Sequence, residues 1–178
     1  LVIPTIKSRS VSVHFKPKSQ ATISDKLIKK DIDEDIGRAI ATLTNNVSEA
    51  LEMANDKILL ELIELVKNIG IAIEDNQKNL SLLLVENGNL LKQIDKNYHS
   101  YFLDLLIHIH SDKVKRLLCV KEGVVFENTL DMCVLNNDRD IQVQIVEILL
   151  AYKEKLKYNI NIDLMYTSLM IEIGKVIK

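Results

Sequence analysis

The chain has 178 residues, a formal net charge of −2, 47% hydrophobic but only 4% aromatic residues, no tryptophan and two cysteines. A chain of this length buries roughly 70% of the surface its unfolded form exposes, so it folds without disulfide or metal staples. Cys119 and Cys133 have neither metal-ligand nor disulfide-scaffold spacing, and no apolar run approaches the ~20 residues that span a bilayer. With no secretory signal in view, these features predict an intracellular, reducing setting.

The charge is divided along the chain. Residues 1–30 carry Lys7, Arg9, Lys16, Lys18, Lys26, Lys29 and Lys30 against the single acid Asp25. A basic extended arm (1–30) is therefore predicted ahead of one acidic helical domain (31–178). Leu1 in place of methionine points to a fragment or a mature piece. Both prolines, Pro4 and Pro17, fall in the arm. A proline costs a helix interior about 3 kcal/mol, so the proline-free remainder favours helices.

In the arm, "VSVHF" places Val11, Val13 and Phe15 at period two, which suits an extended strand or linear peptide. With Lys7, Arg9, Lys16 and Lys18 around them, these residues are the candidate partner-binding set. They could add a strand to a partner sheet, or the cations could tether nucleic acid or an acidic partner. Arg9 stands three residues before Ser12, a spacing that basophilic kinases accept. A phosphate on Ser12 would add roughly −1.5 to −2 of charge. The plain alternative is a terminus that is disordered or docks on its own body.

The first body helix is expected from Asp31, with Glu34 completing a capping box. Ile32, Ile36, Ala39, Ile40, Leu43, Val47, Ala50, Leu51 and Ala54 continue it as one apolar stripe. Asn55 and Asp56 restart the pattern, and Ile58, Leu59, Leu62, Ile63, Val66 and Ile69 predict a central helix contacted from two sides. "LSLLLVENGNLLKQI" keeps helical register through Gly88, which either breaks the helix or costs it about 1 kcal/mol. "YHSYFLDLLIHIH" and "SDKVKRLLCVKEG" read as separate helices, the second ending before Gly123. Each cysteine is expected on an apolar helix side, as a small buried thiol. "VVFENTLDMCVLNN" reads as a helix at 124–136. "DRDIQVQIVEILLAYKEKL" follows, with Ile141, Ile145, Ile148, Leu149, Tyr152 and Leu156 expected to pack on it as half of a hairpin. A last helix carries Met165, Leu169, Ile173 and Val176.

Seven or eight antiparallel helices with short connections are thus expected. "NDRDIQVQIVEILL" resembles the second helix of a HEAT or armadillo repeat, in which an Asp/Asn-rich turn leads into a helix whose first contacts are Val or Ile. The resemblance covers residues 98–157 as two successive pairs. It implies an all-α irregular solenoid, with a compact helical bundle as the alternative, and a helix surface that binds another protein.

The chemistry-bearing residues give no catalytic or metal set, and no cofactor is implied. His108 and His110 are two apart, which points them to different sides of a helix, whereas two ligands for one metal want one face. His99 has no Cys, Asp or Glu at ligand spacing to complete a set. The glycines Gly37, Gly70, Gly88, Gly123 and Gly174 form no phosphate-cradling loop. The carboxylate pair Glu61 and Glu64 reads as a solvated helix face. The expected function is a non-enzymatic protein-interaction module or scaffold, working through a groove or exposed helix stripe and, with it, the arm. The alternatives are a self-associating structural protein, with the Ile32–Ala54 stripe as a coiled-coil seam or the wide Ile58–Val66 face as a dimer core, and a nucleic-acid-associated factor using the arm. The acidic body argues against nucleic acid as a partner.

Overall fold

The computed structural model describes residues 18–74, 83, 85–136, 138–158 and 160–177. The fold is all-α. Among the described residues there are nine helices and no strand: α1 (Gln20–Ile28), α2 (Glu34–Leu43), α3 (Val47–Met53), α4 (Lys57–Glu74), α5 (Gly88–Gln93), α6 (Lys96–Leu117), α7 (Glu127–Asp131), α8 (Arg139–Lys155) and α9 (Ile162–Val176).

Most helix starts are set by one short polar side chain accepting from the first free amides. Ser19 caps α1, Asp33 caps α2, Asn46 caps α3, Asp95 caps α6, Asp138 caps α8 and Asn161 caps α9. Asp56 does the same for α4, accepting from the amides of Ile58 and Leu59.

The core is one apolar cluster. α4 runs through it, burying Leu59, Leu62, Ile63, Leu65, Val66, Ile69 and Ile73. It packs on α6 and touches α2, so the expectation of a central helix holds. α6 in turn packs on α8, and α8 on α9, while α1 lies along α2. Gly70 permits the α4–α6 approach: a Cβ on it would fall 2.4 Å from Ile109 Cδ1.

Several boundaries differ from those read in the sequence. Residues 20–28 of the expected extended arm form α1, because Ser19 caps them and Ile23 and Leu27, one turn apart, are fully buried. Asp31 does not start a helix. It takes the left-handed φ of 62° in the turn that closes α1, where Ile32 N–H donates to Leu27 O, a conformation that aspartate tolerates better than most residues. The long stripe to Ala54 is two helices, broken where the Thr44 hydroxyl accepts from Asn46 N–H and Asn46 caps α3. Conversely, the segments around His110 and Ser111 are one continuous helix, α6.

That helix ends before Cys119, not Gly123. Cys119 adopts φ 58° as the chain folds back, with Val120 N–H donating to Lys115 O. Both cysteines therefore lie outside helices, Cys119 exposed and Cys133 half-buried, and neither is in a disulfide. Finally, α8 packs chiefly on α6 rather than on the helix within 124–136. Residues 124–136 yield only the five-residue α7, and just ahead of it the amides of Val125 and Phe126 are held by the Asp112 carboxylate.

Candidate protein-interaction site

A buried polar network ties α4, α6 and α8 together at the approach to residue 136. Lys113 on α6 is fully buried, and its Nζ donates to Glu74 Oε1 and to Gly70 O, both at 2.7 Å. Gln142 Nε2 donates to the same Oε1 at 2.7 Å, while Gln142 Oε1 meets His110 Nδ1 at 2.7 Å. Asn136 closes the cluster, its backbone N–H on Glu74 Oε2 and its side-chain amide on Glu74 O.

Paired charges in the interior hold only when each is hydrogen-bonded, which these are. Burial pushes the Lys113 ammonium below its ordinary range, and Glu74 opposes the shift. Burial, and then the Lys113 charge, hold His110 well below the usual imidazole range, so the ring is neutral. With Nδ1–H on Gln142 Oε1, the other ring nitrogen, Nε2, is buried without a partner among the described residues.

Two more buried carboxylates hold the segment between α6 and α8. Asp112 Oδ2 accepts from the amides of Val125 and Phe126 at 2.8 and 3.0 Å. Asp35, on α2, accepts from the amides of Asn128 and Thr129 and from the Thr129 hydroxyl. Arg38 adds Nε–H to Val125 O and ion pairs to Asp35, Glu34 and Glu127. Such charge-assisted bonds are about twice as strong as neutral ones. Phe126 and Leu130 drop into the core beneath them.

This anchored segment displays apolar side chains. Leu117, Leu118 and Val120 are exposed on its first side, and Met132 and Val134, 85% and 76% exposed, on its last. The segment also lines a cleft of about 410 Å³, with Cys119, Val120, Val124 and Leu130 in its wall and the Arg116–Asp131 ion pair, at 2.7 Å, among its lining residues. Exposed aliphatic side chains on a firmly held backbone are what a protein-binding surface requires, because little freedom is lost on contact.

Of the residues singled out in the arm, Lys7, Arg9, Val11, Ser12, Val13, Phe15 and Lys16 lie outside the described residues. Lys18 is exposed, and its nearby like charge lowers the Lys26 ammonium below its ordinary range. At the described end of the arm, Ser19, Gln20, Ala21 and Ser24 line a cleft together with Gly123, Val124 and Val125 of the α6–α8 segment.

Three histidines among the described residues are buried or half-buried. His99 is held by the Tyr166 hydroxyl at 2.9 Å and His110 by Gln142, while His108 is half-buried. Burial lowers all three. Among the described residues no group of three or more His, Cys, Asp or Glu is placed to hold a metal ion. Nor is any helix among them long and apolar enough to cross a membrane.

Sequence reasoning missed Glu74, Lys113, Asp35 and Asp112. The available signal was the register of α6: His110 and Lys113 share the spacing of the apolar residues Leu106 and Ile109, which places charge on the inward face.

No family model matches the chain, and no solved structure matches it. The chain is similar to DNA polymerase III subunit delta′ of Bacillus subtilis (strain 168), with 23% identity over 167 residues that cover 91% of this chain. The chain spans about half the length of that protein, the matched part being 50% of it.

Proposed function

We propose that this chain is a non-enzymatic, intracellular helical module that joins a multi-subunit DNA polymerase assembly, contacting a neighbouring subunit through the anchored segment between α6 and α8. The observation that carries the proposal is the match running along 91% of the chain to a protein named as a polymerase subunit. The exposed Leu118, Val120, Met132 and Val134, with the cleft that Val120 lines, supply the surface. The HEAT/armadillo resemblance of residues 98–157 belongs to the same proposal, with α6 and α8 as the platform. Self-association through the Ile32–Ala54 stripe has less support, since Ala39, Ile40 and Ala50 of that stripe are already buried within the chain.

The test is reconstitution. The purified chain is mixed with the other purified subunits of the DNA polymerase III of its source organism and followed by size-exclusion chromatography with light scattering. Stoichiometric co-elution with a subunit is expected, and its loss in the Met132→Asp, Val134→Asp variant, whose altered positions are exposed. Elution of the wild-type chain alone, or only with itself, overturns the proposal.

A further inference from the structure

At the opposite end of α6 lies a second cleft with different chemistry. α6 has 22 residues, and at 1.5 Å per residue it separates this cleft from the 117–134 surface by roughly 33 Å. The cleft opens where the start of α6, the end of α8 and the start of α9 converge, and its volume is about 390 Å³. Ligand pockets start at roughly 300 Å³, so it admits more than a single methyl or water. Its floor is Ile94, Leu156 and the buried face of His99, each less than 10% exposed, with Ile160 and Ile162 on the α9 side.

The rim carries one sign of charge. Lys96 and Lys157 meet there: Lys96 Nζ donates to Lys157 O at 3.3 Å across 61 positions of sequence. Lys157 is paired outward with Glu154, but Lys96 has no carboxylate within ion-pair distance among the described residues. Asp95, its neighbour, has Oδ1 committed to the amides of Asn97 and Tyr98. Tyr158, 73% exposed, stands beside the lysines as an aromatic wall. The cleft at 116–131 includes Glu127 and Asp131 in its lining, and the one against α9 includes Glu172. This cleft includes no carboxylate. On a chain of net charge −2, an apolar floor under a cationic rim is complementary to an acidic, aliphatic ligand.

We propose that this cleft is a second protein-contact site, taking an acidic–aliphatic peptide segment whose leucine-sized side chain enters the floor while its flanking carboxylate meets Lys96 at the rim. The inference rests on the reading of the chain as a protein-contacting module, but not on which assembly it joins. With contacts at both ends of α6, the chain bridges two partners.

The experiment titrates the full ¹⁵N-labelled chain with acetyl-Asp-Leu-Leu-Glu-amide and follows amide shifts by NMR. Saturable shifts are expected at Ile94, Lys96, Tyr158 and Ile160. Affinity should fall at least tenfold in Lys96→Glu, an exposed position whose amide spectrum elsewhere reports that the fold is kept. Absence of saturable shifts overturns the proposal, and so does an equal response to acetyl-Lys-Leu-Leu-Lys-amide. Equal shifts from inorganic phosphate alone would reduce the site to an anion site and overturn it as well. The titration uses no polymerase subunit, so its failure leaves the reconstitution result standing. A failed reconstitution likewise leaves a saturable titration standing.

Discussion

Gly70 and Ile109 mark the tightest crossing in the core, and replacing the glycine measures how tight. A Cβ at Gly70 would lie 2.4 Å from Ile109 Cδ1, with Cγ1 and Cγ2 at 3.2 and 3.6 Å. Ile109 is fully buried, so its terminal methyl has no open space to enter. Overpacking of this kind costs about 1–3 kcal/mol. Alanine in place of glycine in a helix interior returns roughly 0.5–1 kcal/mol. Gly70→Ala should thus destabilise the chain by about 1 kcal/mol in urea unfolding followed by far-UV circular dichroism. Ile109→Val, which removes Cδ1 alone, should cost about 0.5–1.5 kcal/mol through the space it leaves. In the double variant the new methyl occupies that space and the helix gain is recovered, so its net change should be near zero, on the order of 0.5 kcal/mol or less. The two single effects would sum to about 2 kcal/mol. A double variant matching that sum within about 0.5 kcal/mol would refute the steric account of the crossing.

Lys113→Met leaves the Glu74 carboxylate buried without its cation and should cost about 3–5 kcal/mol. Adding Glu74→Gln should recover most of that loss, which chemical denaturation of both variants would show. His110 is neutral in the fold, and its imidazole lies well below the ordinary value of 6.5. The unfolded chain therefore binds the extra proton, and stability falls as pH drops below about 6.5. The slope should approach about 1.4 kcal/mol per pH unit from this residue. Between pH 7 and 5.5 the fall in unfolding midpoint should be shallower in His110→Gln, with His99 and His108, which burial also lowers, supplying the remainder, and an unchanged slope would contradict the assignment. Asp35→Ala removes the acceptor for the Asn128 and Thr129 amides and should cost about 1–3 kcal/mol. Hydrogen exchange should then quicken at those two amides while those of α8 keep their protection.

The helices most visible in the sequence are those with both a polar cap and a regular apolar face. α8 has Asp138 and the Ile145–Leu149–Tyr152 face, and α4 has Asp56 and its leucines. α1 was hidden because its only deeply buried apolar residues, Ile23 and Leu27, stand among lysines and hydroxyls that mimic an extended basic arm. Ser111 resembled a cap but lies inside α6, where apolar contacts on either side decide the structure. The partner of α8 was not legible, because adjacency in sequence is only a tendency and Asp112 diverts the intervening chain. Polar side chains such as Glu74 and Lys113 read as solvated, since what buries them is a pairing between positions 39 residues apart. The cleft at Lys96 likewise depends on three helix ends meeting, which no local pattern encodes.

The Asp35 clasp also sets a timetable. Its carboxylate receives the Thr129 amide and hydroxyl from 94 residues further along the chain. A ribosome adding about 5–20 residues per second needs on the order of 5–20 s to deliver that threonine after the aspartate. Through that interval the places that Phe126 and Leu130 take in the finished core are unfilled. The N-terminal helices thus spend seconds with an unfinished apolar wall. Substitutions that slow arrival of the 124–130 segment should lower the yield of soluble protein even where they leave the finished fold untouched.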